Sequence, residues 1–109
     1  MTISLEQVHP LIGNKFQLET SNGVMHLELV EAEERPRRGI PENFRTPLLL
    51  IFAGSSRQPL AQDNYFVEHP ALGRHIWTVA PTLADHAKGQ YQRPHEDGGT
   101  CVYYQVFFN

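Results

Sequence analysis

Apolar and polar residues begin to alternate at Lys15. Phe16, Leu18 and Thr20 alternate with Gln17 and Glu19, and after Ser21-Asn22-Gly23 the residues Met25, Leu27 and Leu29 alternate with His26 and Glu28. A period of two belongs to a strand with one buried face. Asn22-Gly23 tolerates the positive φ of a tight turn, so this segment predicts a hairpin turning at those two residues. Residues 47–54 form an unbroken apolar run bounded by Pro47 and Gly54, which predicts a central strand covered on both sides. Residues 64–69 and 74–80, joined by Pro70-Ala71-Leu72-Gly73, predict a second hairpin that ends at Pro81, and residues 101–108 predict a last strand. Ahead of these, Ser4 with Gln7 three residues later makes a capping box, and Leu5 and Val8 share one side of a short helix that Pro10 and Gly13 stop. The polar stretches 33–45 and 82–99 read as long loops, the second with room for one turn of helix over 83–88.

Six strands in an open sheet would expose unpaired backbone groups at two edges, and closure removes both edges. The sequence therefore predicts an all-β fold, a six-stranded, mostly antiparallel barrel with its N-terminal helix covering one end. Phe16, Leu18, Leu27, Leu29, Leu50, Phe52, Val67 and Trp77 would form one core. A two-sheet sandwich uses the same alternation and is the alternative. The 109 residues, 40% hydrophobic and 19% charged, suffice for one domain over 1–109.

The net charge of −3 supplies no long-range attraction for nucleic acid or an anionic membrane. The single cysteine, Cys101, excludes an internal disulfide and lies in a strand pattern, which fits a reducing compartment. With no basic and apolar leader pattern at the N-terminus and no membrane-length apolar run, the expected location is cytoplasmic. Arg35, Arg37 and Arg38 form one basic cluster, diluted by Glu31, Glu33 and Glu34; it suits a solvated loop or contact with an acidic protein surface.

Six histidines, His9, His26, His69, His75, His86 and His95, raise the question of a metal, but no pair has the spacing of a zinc motif. His69 and His75, facing each other across residues 70–73, are the one plausible local pair. Ser55 or Ser56 with His69 and Asp63 would be the hydrolytic candidates, yet no Gly-x-Ser-x-Gly elbow is present. Cys101 lies in an apolar strand and not in the electropositive setting a reactive thiol needs. The pairs Glu33-Glu34 and Glu96-Asp97 belong to loops where solvation is cheap. The residues thus point to no cofactor, no metal site and no catalytic set.

The last strand carries large apolar groups at both parities: either Tyr103 and Phe107 or Tyr104 and Phe108 must lie outside the barrel, covered by the N-terminal helix or by a partner. In residues 50–54, in residues 60–73 with their His-Pro-x-Leu-Gly turn, in residues 106–109 and in the opening from Leu5 to Phe16, the chain resembles an uncharacterised bacterial family of small β-rich proteins. It departs from that family in a longer loop over 82–100 and at Asp63-Asn64. The resemblance implies a β-rich fold and transfers no catalytic residues.

The expected function is that of a non-catalytic accessory or structural domain that binds a protein partner or its own copies, with a place in a larger assembly as one form of this. Tyr103, Tyr104, Phe107, Phe108, Arg35, Arg37 and Arg38 would be its interface, with no nucleic acid, membrane or obligate small molecule involved. The alternatives are a small hydrolase-like or metal-binding protein using His69 and His75, and a small-ligand-binding barrel, disfavoured because six strands enclose little free volume.

Overall fold

The computed structural model describes residues 3–34, 47–82 and 94–108. A short helix α1 (Leu5–Val8) runs into a 3-10 turn (His9–Leu11), followed by β1 (Lys15–Thr20), β2 (Gly23–Glu34), β3 (Leu48–Ser55), β4 (Asp63–His69), β5 (Gly73–Thr82) and β6 (Cys101–Phe108). The strands close into a barrel in the order β1-β2-β3-β6-β5-β4, every neighbouring pair antiparallel. This is the barrel and not the sandwich.

All eight core residues expected from the alternation lie in one buried interior cluster, which also holds Leu48, Leu72, Val79, Tyr104 and Val106. Phe16 meets Phe52 edge to face at 5.1 Å between ring centroids. The helix plugs one end: the Ser4 hydroxyl accepts from the Gln7 backbone N–H while the Gln7 side chain accepts from the Ser4 N–H, and Val8 and Ile3 enter the interior cluster. Because its apolar side goes into the barrel end, α1 does not supply the expected cover over the outside of β6.

Strand β3 is buried at all eight positions. Its inward residues join the interior cluster. Its outward residues Leu49, Ile51 and Ala53 form a second cluster with Cys101 and Tyr103.

Three local readings are corrected. The first hairpin turns at Ser21-Asn22, because Thr20 pairs with Gly23; Gly23 takes the positive φ of 110° and opens β2, while the Thr20 hydroxyl bonds to the Gly23 carbonyl and the Asn22 N–H. β2 continues to Glu34, so Glu33 and Glu34 are strand residues. A register shift between Leu29 and Glu31 sets Leu29 against Phe52 and Ala32 against Leu50, and the extra residue masks the alternation beyond Leu29. Pro81 does not end β5: it pairs with Tyr104 in a β5–β6 ladder that, among the described residues, is three pairs long, Ala80–Gln105 to Thr82–Tyr103. Past that ladder, Trp77 and Phe108 meet edge to face at 5.4 Å and join the two strands by side chains.

Candidate functional site

With Val67, Trp77 and Val79 inside, the period of two sends Phe66, Ile76 and Arg74 outward. The registers of three strand pairs then align one outward row across four strands: Val24 opposite Glu19, Glu19 opposite Phe66, and Phe66 opposite Ile76. Its apolar members are exposed, Val24 at 55%, Phe66 at 41% and Ile76 at 61% of their full surface. The charge in the row is held locally. Arg74 Nη2 donates to Glu19 Oε2 at 2.6 Å, and the guanidinium lies over the Phe66 ring, 3.9 Å from its centroid. The result is an aliphatic and aromatic surface with an arginine over its ring, a composition enriched in the cores of protein interfaces.

A polar cluster pins the segment 94–100 onto the end of β3. The Ser55 hydroxyl, buried, donates to Asp97 Oδ2 and accepts from the Arg57 N–H; Asp97 Oδ1 accepts from the Gly99 N–H at 2.9 Å and lies 3.1 Å from His95 Nδ1. Ser56 and Thr100 exchange two further bonds, and Lys15 Nζ pairs with Glu96 at 2.5 Å. The Ser55 hydrogen bond, with the Gly99 N–H and His95 behind it, holds the Asp97 carboxyl below the usual aspartate range. The Lys15 hydrogen bond and charge do the same for Glu96.

Ser55, Asp97 and His95 have the composition of a hydrolytic triad but not its order, since the carboxylate and not the imidazole touches the serine hydroxyl. The cluster borders a polar surface cleft of about 450 Å³ that Lys15, His26, Glu28 and Gln58 also line.

His69 closes β4 at the plugged end of the barrel, whereas Ser55 closes β3 at the end where β4 begins, so Ser55, Asp63 and His69 do not converge. His69 Nδ1 accepts from the Ala71 N–H at 3.0 Å and Nε2 faces Asn14 Oδ1 at 3.3 Å. The neutral Nε2–H tautomer satisfies both bonds, and the ring packs on Phe16 at 4.6 Å. His75 stands opposite Val67 and not His69; its Nε2 donates to the Leu72 carbonyl at 2.7 Å, and its ring stacks on Trp77. Both imidazoles therefore brace the β4–β5 turn. Among the described residues no group of three or more His, Cys, Asp or Glu side chains is arranged to hold a metal ion.

On β6, Tyr104 and Phe108 point inward. The Tyr104 hydroxyl accepts from the Leu60 N–H at 2.9 Å, and burial pushes its phenol above the ordinary tyrosine value. Tyr103 points outward but is buried in the second cluster, 3% exposed, so neither tyrosine is free for a partner; Phe107 is exposed and Phe108 packs on Trp77. Arg35, Arg37, Arg38 and the helix turn expected over 83–88 lie outside the described residues.

The Phe66–Ile76 surface is not among the residues singled out from the sequence, although its signal is present there: placing Val67 and Trp77 inside obliges their neighbours to face out. The Ser55–Asp97 contact joins residues 42 apart, and no local pattern announces it.

Fold and surface together define a small, closed, end-plugged antiparallel barrel with an apolar outward row. The chain belongs to the family described as Domain of unknown function (DUF6916), whose model matches residues 3–108. No curated protein and no solved structure matches it. No helix among the described residues is long and apolar enough to cross a membrane.

Proposed function

We propose that this domain is a non-catalytic interaction module that binds protein through the outward face of β2, β1, β4 and β5. The observation that carries the reading is the Val24–Glu19–Phe66–Ile76 row with Arg74 lying over Phe66. Leaving Phe66 and Ile76 in water on adjacent strands, with Val24 on the far side of Glu19, forgoes burial worth about 25 cal/mol per Å², which a partner covering the row would recover. His69 and His75 favour this reading over metal or hydrolytic chemistry, since three of their four ring nitrogens are engaged by Asn14, Ala71 and Leu72. The filled interior favours it over a ligand carrier. The reduced, buried Cys101 suits work in the cytoplasm.

The test compares the wild-type chain with Ile76→Asp and Phe66→Ser in affinity capture from the native cell and in light scattering. The reading expects a reproducible protein association, hetero- or homotypic, that both substitutions abolish. An association indifferent to both substitutions, or turnover of a compound by the isolated chain, would defeat it.

A further inference from the structure

The exposed face carries its own complement. Arg74 stands directly opposite Glu68 in the β4–β5 register, yet its guanidinium turns the other way, stacks on Phe66 and gives one Nη2 bond to Glu19. A guanidinium has five N–H donors in a rigid fork, so most of its donors remain for another carboxylate. Glu68 is exposed and outward, beside the apolar row, and among the described residues it makes no ion pair. One surface thus holds, side by side, an arginine with spare donors and a carboxylate with spare lone pairs, next to Phe66 and Ile76. A foreign partner would have to bring both charges in the matching order. A second copy brings them automatically, because in a two-fold contact residue i meets j and j meets i.

Resting on the interaction reading above, we infer that the occupant of this face is a second copy of the chain, packed about a two-fold axis. Ile76 and Phe66 of each copy cover those of the other, and Arg74 of each donates to Glu68 of the other while keeping its own Glu19. Each copy brings one guanidinium and two carboxylates to the contact, so the fork of Arg74 is shared between its own Glu19 and the Glu68 of the other copy. The outward face of a barrel is convex and the apolar row is narrow, so the contact falls toward the small end of specific interfaces. The dimer is reversible and depends on concentration.

Sedimentation velocity on the full chain over a concentration series reads this directly. The wild type shifts from monomer to dimer as concentration rises, and Ile76→Asp weakens the dimer by about tenfold or more. The decisive arm uses Arg74→Glu and Glu68→Arg. Each variant alone loses self-association, because like charges then face one another. An equimolar mixture of the two forms a heterodimer. In it the carboxylate introduced into one chain meets the guanidinium introduced into the other, and the unaltered Glu68 of the first chain meets the unaltered Arg74 of the second. A merely misfolded variant would not be rescued by mixing.

A wild-type protein that stays monomeric throughout overturns the proposal. So does a dimer that Ile76→Asp and the charge variants leave intact, or a mixture that fails to pair. If the chain is monomeric but binds another protein in an Ile76-dependent way, the second-copy proposal falls and the interaction reading stands. If Ile76→Asp affects no association at all, both fall.

Discussion

The guanidinium of Arg74 lies 3.9 Å from the centre of the Phe66 ring while its Nη2 donates to Glu19 at 2.6 Å, so one side chain ties together β5, β4 and β1 on the outside of the barrel. Both ends of the ion pair are about half exposed. Such pairs contribute about 0–1 kcal/mol and weaken with salt, and an exposed cation–π contact adds about 0.5–1 kcal/mol. Arg74→Gln is expected to lower the unfolding free energy by no more than about 1–2 kcal/mol. Urea titrations at low and high salt check this, and the gap between variant and wild type should narrow at high salt. A loss above about 3 kcal/mol would mean that Arg74 holds the barrel together and is not chiefly a surface group.

Phe52 lies on the other side of the wall, 1% exposed and edge to face with Phe16. Phe52→Ala is expected to cost about 3–5 kcal/mol, the range for a large ring removed from a packed interior. Ile76→Ala, on the exposed row, should stay within about 0.5 kcal/mol of wild type. The two denaturation curves measured side by side test the assignment of inward and outward positions, and equal losses would contradict it.

Gly54 is required by packing and not by backbone conformation. A Cβ at this position would lie 2.6 Å from Leu27 Cδ2 and 3.2 Å from Tyr104 Cε2, inside the interior cluster. Gly54→Ala should therefore destabilise by about 1–3 kcal/mol through overpacking. Pairing it with Leu27→Ala should return part of the loss. The thermal midpoints of the two single variants and the double variant decide the matter, and strict additivity would argue against the clash.

Asp97 makes acid stability depend on the segment 94–100. Its carboxyl is held below the ordinary aspartate value of 3.8, first by the Ser55 hydroxyl and then by the Gly99 N–H and His95. A folded-state value lower than the unfolded one means that its contribution is fully present above the ordinary value. The contribution is lost as pH falls from there through the depressed value. Ser55→Ala removes the largest cause, so NMR titration of the Asp97 carboxyl should show its pKa moving up toward 3.8. Asp97→Asn should lose stability at neutral pH and show a shallower further loss on acidification. An Asp97 titration unmoved by Ser55→Ala would remove the basis for this coupling.

Alternation alone determined a good deal of this protein. Because a strand's side chains switch faces at every residue, the residues Phe16 to Leu29 had to form a hairpin with Phe16, Leu18, Leu27 and Leu29 inside, and the six-strand count with its exposed edges favoured closure over the sandwich that the same alternation permits. The same rule placed Phe66 and Ile76 outside once Val67 and Trp77 were inside. What the alternation left undecided on β6 was decided by the register with β3, which sets Tyr104 opposite inward Phe52 and Tyr103 opposite outward Ala53. The bulge between Leu29 and Glu31 lay beyond the pattern because an extra residue erases the periodicity that would reveal it. The contacts that make the surface and the clasps, Glu19 with Arg74, Ser55 with Asp97 and Asn14 with His69, join residues 42 to 55 apart. A local period reports which face a residue occupies. Only closure of the β1–β4 seam and the docking of 94–100 against β3 bring those faces, and the side chains on them, to one another.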